Sequence, residues 1–586
     1  RFSQKEFSDE VLNTFGYGDG GGGPTEEMLQ MRRRLENGIG ECPNARIGTA
    51  EEFLEHVAEQ ENNPGLPVWD GELYLEMHRG TYTSIAKNKR NNRKCEFAYQ
   101  NAEFFAILGR QLFGMEYPAA ILKAGWEKIL LYQFHDIIPG SSIREVYEDC
   151  DAVYPVLRKN AEEISDKVRK RVEKALQPAP NGQKELKENS EESLLVFNPQ
   201  PFPGAGVVMV DGRSLYVDHI PARGYAIVEK REPTGSIRLG ALEMENDYFR
   251  VQFDEQYQIR SLYDKQASRE VIDASKGCGN CLEVYEDYPR AYDAWEITNY
   301  YKEKRYIADD VTKAESVRDG CRAGFKIQRT FLESVIIQTV WLYEDRKKMD
   351  FETVIDWKQE HLLLKAAFPV SIRASEAVYD IQFGAVSRPT HSNTSWDAAK
   401  FEVCAHKYCD LSEYGYGVSL LNDCKYGYDV HDSVMRLTLL KSATFPNPDA
   451  DRCRHVFTYT LAPHVDDYRK AGILQMAYDL NNPMRAVPVI RPEADGKIPA
   501  RYSLVEVASP NVIADTVKKA EESNAVIIRF FEACGSHCET MVKLGWKPAK
   551  ATLCDLMERE LSDIDLKGDS FLLRAKPYEI LTVKVE

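Results

Sequence analysis

No stretch of the 586-residue sequence approaches the ~20 consecutive apolar residues that a bilayer span requires, and Arg1 to Glu10 are polar and charged where a secretory signal would be apolar. Positive charge is also in short supply. With 75 Lys plus Arg against 92 Asp plus Glu, the net charge is -17, the wrong sign for neutralising nucleic-acid phosphates or anionic lipid. Nucleic-acid and membrane partners are therefore excluded as expectations. The 13 cysteines are odd in number and scattered, which suits free thiols in a reducing compartment better than a disulfide framework. The sequence predicts a cytoplasmic protein; the one sequon, Asn393-Thr394-Ser395, carries little weight. No repeat period marks a solenoid or propeller.

What is present is apolar mass. Hydrophobic residues make up 43% and aromatics 11%, too much for a disordered chain, and the length calls for three or more domains. Three regions follow one another. Up to about residue 84 helix and strand signals alternate. Thr25 to Asn37 has helical spacing and stops at Gly38; Ala45 to Gly48 is a short strand candidate; Thr49 with Glu52 forms a capping box before a second helix; Leu66 to Arg79 reads as a strand. Such alternation predicts the end of a parallel α/β domain. Residues 85–180 are helical, over Asn91 to Phe113, Tyr117 to Phe134 and Ile143 to Leu176, enough for a three-helix bundle. The polar stretch Gln177 to Ser193 has the composition of a linker.

Residues 190–586 carry short β-branched or aromatic runs separated by turns: Ser193 to Phe197, Val207 to Val210, Ala226 to Glu229, Tyr248 to Phe253, Val335 to Tyr343, Arg436 to Leu440, Ala525 to Phe531 and Ile580 to Val585. They predict β-sandwich domains. The expected fold is thus α/β plus all-β and multidomain. Its aromatic-rich sandwiches have the surface for a homo-oligomeric interface.

Three segments carry candidate chemistry. In FGYGDGGGGPT (15–25), Gly18 to Gly23 formally fits a dinucleotide-binding loop, but Asp19 would repel a phosphate there while suiting sugar hydroxyls; a plain turn is the simpler alternative. In ELYLEMHRGTYTSIAKNKR (72–90), an extended strand would place Glu72, Tyr74, Glu76 and His78 on one face. Carboxylates so placed support proton transfer to a glycosidic oxygen, and a solvated edge strand is the alternative. In QFHDIIPGSS (133–142), His135 and Asp136 at a helix end suit a metal ligand with its acidic neighbour, or a structural histidine. Cys278-Gly-Asn-Cys281 and the Cys534, His537, Cys538 group have no second pair at zinc-finger spacing.

Read in order, FGYGDGGGGPT, LPVWDGELYLEMHRGTYTSIAKNKRNNRKCE and LLYQFHDIIPGSSIREVY resemble the glycoside hydrolase family 38 α-mannosidases, of the cytosolic type. The resemblance continues through SLYDKQASREV (261–271), RPTHSNTSWDAAKFEV (388–403), YGYGVSLLNDCKYGYDV (414–430) and KPYEILTVKV (576–585), and so covers essentially the whole chain. It implies a zinc-dependent retaining α-mannosidase acting on terminal α-mannosides of an oligosaccharide. It also implies His135 as a zinc ligand, Glu76 as general acid/base, and Asp19, Tyr82 and Asp136 as substrate contacts. Retention needs two carboxyl groups about 5 to 5.5 Å apart. The family's His-x-Asp zinc pair and Asp nucleophile precede its Gly-rich segment, so the resemblance implies the C-terminal portion of such an enzyme, inactive by itself, with the remaining zinc ligands supplied from upstream. A non-catalytic carbohydrate-binding or assembly protein derived from the family is the second expectation, and a nucleotide-binding enzyme built on the Gly-rich loop a third.

Overall fold

In the computed structural model, residues 5–18, 21–38, 40–176, 193–489 and 498–586 are described, and the chain divides into two compact units, Arg1–Leu73 and Tyr74–Glu586. The first unit holds α1 (Glu26–Glu36) and α2 (Ala50–Ala58). Both start where the sequence says. Thr25 accepts the Met28 amide at 3.3 Å to open α1, with Glu26 and Glu27 in its first turn and Arg33 and Arg34 in its last, each favourable to the helix dipole. Thr49 and Glu52 close a reciprocal capping box on α2, at 3.1 and 2.9 Å.

The two expected strands of this region do not form. Ala45 to Gly48 and Leu66 to Arg79 have no ladder partner, and among the described residues up to 84 there is no strand; α1 and α2 bury no residue. The parallel β/α end of the expectation is therefore replaced by helices and turns. The cause at Leu66 to Arg79 is local. His78 and Ile85 adopt positive φ values of 60° and 54° around a short 3-10 turn at Arg79–Tyr82, a path that breaks the two-residue alternation a strand needs.

In the second unit, α3 (Ala86–Phe113), α4 (Ala119–Tyr132) and α5 (Arg144–Leu176) pack about Cys95, Tyr99, Leu122, Ile129, Tyr154 and Leu157. α3 ends at Gly114, with φ 64° in the left-handed C-cap conformation glycine tolerates. Gly125 of α4 lies against the Tyr99 ring, where a Cβ would stand 2.0 Å from the phenol oxygen. The expected linker, Gln177 to Ser193, falls almost wholly outside the described residues.

The rest is mainly antiparallel β structure, with helices at Ser395–Ala399 and Ile473–Asn481. All eight sequence-predicted runs are strands, with ends shifted by at most three residues. A nine-stranded, a six-stranded and a five-stranded sheet, the last from Arg238 to Glu270, contribute to one core that includes Phe249, Ile336, Phe351, Trp357, Leu437 and Tyr459. Near the C terminus a four-stranded and a five-stranded sheet form a second core of Val526, Ile528, Phe530, Val542, Phe571 and Val583, which also takes in Phe104, Phe105, Ile107 and Leu108 of α3. Among the described residues no helix is long and apolar enough to cross a membrane.

The contact between α3 and α4 makes a stability prediction. Gly125→Ala forces the buried Tyr99 ring or the helices apart, and overpacking of this kind costs about 1–3 kcal/mol. A lowered urea midpoint with unchanged slope is the expected result.

Candidate active site

The segment from Tyr74 to Ile85, which carries Glu76 and Tyr82, is a strap bolted to the six-stranded sheet and its loops. The Tyr74 hydroxyl donates to the Glu402 carbonyl at 2.6 Å, and burial pushes its pKa up to about 12. The buried guanidinium of Arg79 donates to the Tyr74 oxygen at 3.1 Å, to the Ala399 carbonyl at 2.8 Å and back to the Glu76 carbonyl. Its plane lies 4.3 Å over the Phe401 ring.

The other edge of the strap is held by backbone. Gly80 N–H donates to the Trp295 carbonyl at 2.7 Å, Ser84 Oγ to the Ala294 carbonyl at 2.6 Å, and His78 N–H to Glu296 Oε1 at 2.9 Å. Gly80 has to be glycine, because a Cβ would stand 2.8 Å from both the Ala294 oxygen and Lys441 Cε. Glu76 is left with its carboxylate exposed.

The second segment, Gln133 to Ser142, leaves the end of α4 and is tied to the strap through the first turns of α3. The Ile85 and Ala86 amides each donate to a carboxylate oxygen of Asp451, both at 2.7 Å. One turn on, Lys89 Nζ donates to the Ser84 carbonyl at 2.6 Å and the Ile138 carbonyl at 2.8 Å, and Asn88 Nδ2 to the Ile137 carbonyl at 3.2 Å. Both ionisable groups are buried, which lowers the pKa of Lys89 and raises that of Asp451 against its two amide donors. Gly140, at φ 91°, touches the same Ser84 carbonyl so closely that a Cβ would stand 2.2 Å away.

On this framework His135 is exposed, with its ring 4.2 Å from that of Phe134 and Nε2 3.4 Å from Asp136 Oδ2. Asp136 is fixed by its own turn: Ser141 Oγ donates to Oδ1 at 3.0 Å, and the Tyr147 hydroxyl reaches its carbonyl at 3.3 Å. Tyr82 is half-buried and lines a cleft that runs along α3. Glu76 and Tyr82 are thus on the strap, His135 and Asp136 on the loop, and strap and loop are joined through Lys89, Asn88 and the Ser84 carbonyl. Asp19 lies outside the described residues.

Zinc needs four ligands, and His135 with Asp136 offers one imidazole and one carboxylate. Among the described residues no three His, Cys, Asp or Glu side chains gather as metal ligands, the Cys278–Cys281 and Cys534–Cys538 groups included. These residues alone do not fit a closed zinc site.

Sequence reading missed Arg79, Lys89, Glu296 and Asp451. Lys89 sits inside the 72–90 segment, but its acceptors are carbonyl groups, which carry no residue signature. Asp451 reaches α3 from 365 residues away.

Four domain models of one glycoside hydrolase family match successive parts of the chain. They are the glycosyl hydrolases family 38 N-terminal domain (1–72), the alpha mannosidase middle domain (76–172), the family 38 C-terminal domain (244–449) and the family 38 C-terminal beta sandwich domain (511–583). The chain belongs to glycoside hydrolase family 38.

Among particular relatives, it is similar to alpha-mannosidase 2C1 of Homo sapiens, 35% identical over 97% of this chain and 55% of the relative. It is also similar to alpha-mannosidase G of Dictyostelium discoideum, 30% identical over 90% of this chain and 53% of that one. The alpha-mannosidase of Saccharomyces cerevisiae is 33% identical over 89% and 47%. The chain therefore spans about half the length of the curated relatives it matches. A solved alpha-mannosidase from Enterococcus faecalis shares the fold, with a TM-score of 0.76 and 16% identity over 96% of this chain and 74% of that one.

The buried histidine beside Asp451 makes a pH prediction. His455 Nε2 lies 2.7 Å from the Asp451 carbonyl, and burial, with help from Lys425, lowers its pKa from 6.5 to about 3. Unfolded His455 takes up a proton below pH 6.5 and the folded residue does so only near pH 3, so its contribution to stability is lost as pH falls through that window. At pH 5 the loss is about 2 kcal/mol. The stability of His455→Gln relative to wild type, from urea midpoints, is expected to rise by that amount between pH 7.5 and pH 5.

Proposed function

We propose that the chain supplies the acid/base and sugar-gripping part of a zinc-dependent retaining α-mannosidase that removes terminal α-mannose from an oligosaccharide. The observation that supports this best is the joining of the Glu76–Tyr82 strap to the His135–Asp136 loop at one end of α3, together with relatives that are alpha-mannosidases by name. The exposed carboxyl of Glu76 donates its proton to the departing glycosidic oxygen and then takes one from water. Asp136, held by Ser141, and Tyr82 accept and donate hydrogen bonds to mannose hydroxyls, as does Asp19 by the resemblance. His135 would be one ligand of a zinc ion, which would supply polarisation and orientation of sugar hydroxyls; the other ligands and the nucleophilic carboxylate would come from outside the described residues. A cytoplasmic setting belongs to the same reading, and the thirteen cysteines, all free thiols, suit it.

Hydrolysis of an aryl α-mannoside, with zinc supplied and with zinc removed, tests the reading. The 586-residue chain, shown folded by its melting transition, is expected to be inactive, and a polypeptide that joins it to the family's upstream segment to be active and zinc-dependent. In that active form Glu76→Gln lowers kcat/KM by about 10²–10⁴, and His135→Ala weakens zinc retention. A second reading draws on the incomplete ligand set: a carbohydrate-binding protein without catalysis. It predicts glycan binding that survives in the Glu76→Gln, His135→Ala double variant and no hydrolysis in any form.

A further inference from the structure

Between α3 and α4 on one side and the β region on the other runs a cleft of about 1370 Å³. It exceeds the ~300–1,000 Å³ that accommodate a drug-sized ligand. Its helical wall follows from spacing: Glu96 and Phe97 lie three and four residues after Arg93, Gln100 and Glu103 follow at steps of three, and all five line the cleft from α3. Trp126 of α4 stands across from them, half-buried, its ring edge against Tyr99 at 5.6 Å. Tyr478 forms part of the opposite wall, edge-on to Phe97 at 6.2 Å.

The charges of this cleft are largely spent. Asp380 pairs with Lys407 at 2.9 Å and Lys518 with Glu521 at 2.7 Å. The Arg93 guanidinium is taken up by the Tyr426 hydroxyl and the His406 and Lys425 carbonyls at 3.0 to 3.2 Å. Glu96 accepts from Gln133 Nε2 at 2.8 Å, and burial raises its pKa; burial also pushes Glu103 up to about 7. Such a cleft offers little to an ion. It does offer the carboxyl groups of Glu96 and Glu103, an indole face, and the Gln100 amide, which has no hydrogen-bond partner among the described residues.

We propose that this cleft is a binding site for a neutral oligosaccharide. Linked sugars present what the walls match: hydroxyls that donate and accept, and apolar ring faces that lie against aromatic side chains. One end of the cleft is formed by Thr81, Tyr82 and Gln133, so a bound chain has one end beside the strap. The site itself requires neither Glu76 nor His135, and therefore stands whether or not the proposed hydrolysis does.

The test uses the 586-residue chain and α-linked mannotetraose, with binding followed by calorimetry and by the change in tryptophan fluorescence. Saturable binding is expected, weakened at least tenfold by Gln100→Ala and abolished by Gln100→Trp, whose indole fills the cleft. Because Gln100 is partly exposed and unpartnered, both variants should keep the wild-type melting transition, which is checked first. Absence of binding by folded wild-type protein overturns the proposal. So does binding indifferent to both Gln100 variants, an outcome that would leave the proposed mannosidase reading intact.

Discussion

The first turn of α3 ends on a carboxylate. Helix N-termini leave amides without intrahelical partners, and Ile85, at positive φ, offers no capping side chain of its own. Asp451 fills the gap from the loop between the strands Val434–Lys441 and Arg454–Val465, one oxygen to each of two amides, and its negative charge sits where the helix dipole favours it. Lys89, one turn along, supplies the compensating positive charge and directs its ammonium at two carbonyls, one from the strap and one from the loop. Remove this junction and the strap, the loop and the β region lose the element they all meet.

α3 is long because it serves three neighbours. Its 28 residues run about 42 Å at 1.5 Å per residue. Cys95, Tyr99 and Ala102 face the other helices; Arg93, Phe97 and Gln100 face the cleft; Phe104 to Leu108 enter the C-terminal β core. A helix buried on more than one side shows no clean division into apolar and polar faces, which is why polar residues such as Asn88, Lys89, Asn92, Arg93 and Glu103 are nearly as buried as its apolar ones.

This mixed burial also explains what could be read from the sequence. The β strands were legible because antiparallel sheets bury one face: Phe249–Phe253 alternates buried and exposed residue by residue. α3 was expected from Asn91 and begins at Ala86, since Ala-Lys-Asn-Lys-Arg has no apolar period and its cap is distant in sequence. The alternation over Leu66 to Arg79 was misleading for a related reason. A strand needs a neighbour, whereas Arg79 and Gly80 find their partners in Ala399 and Trp295 and turn the backbone. His135 and Asp136 were visible as adjacent residues, but the contacts that aim them run through carbonyl groups of Ile137 and Ile138, where any residue would serve.

One carbonyl oxygen joins the two halves of the candidate site. Ser84 O accepts the Lys89 ammonium while Gly140 packs against it at a distance only a residue without a side chain allows. The strap cannot lift without unseating the loop, nor the loop without uncovering a buried ammonium. Local opening there is consequently one cooperative event rather than two independent ones, and amide hydrogens at Gly80, Ser84 and Gly140 belong to a single exchange unit.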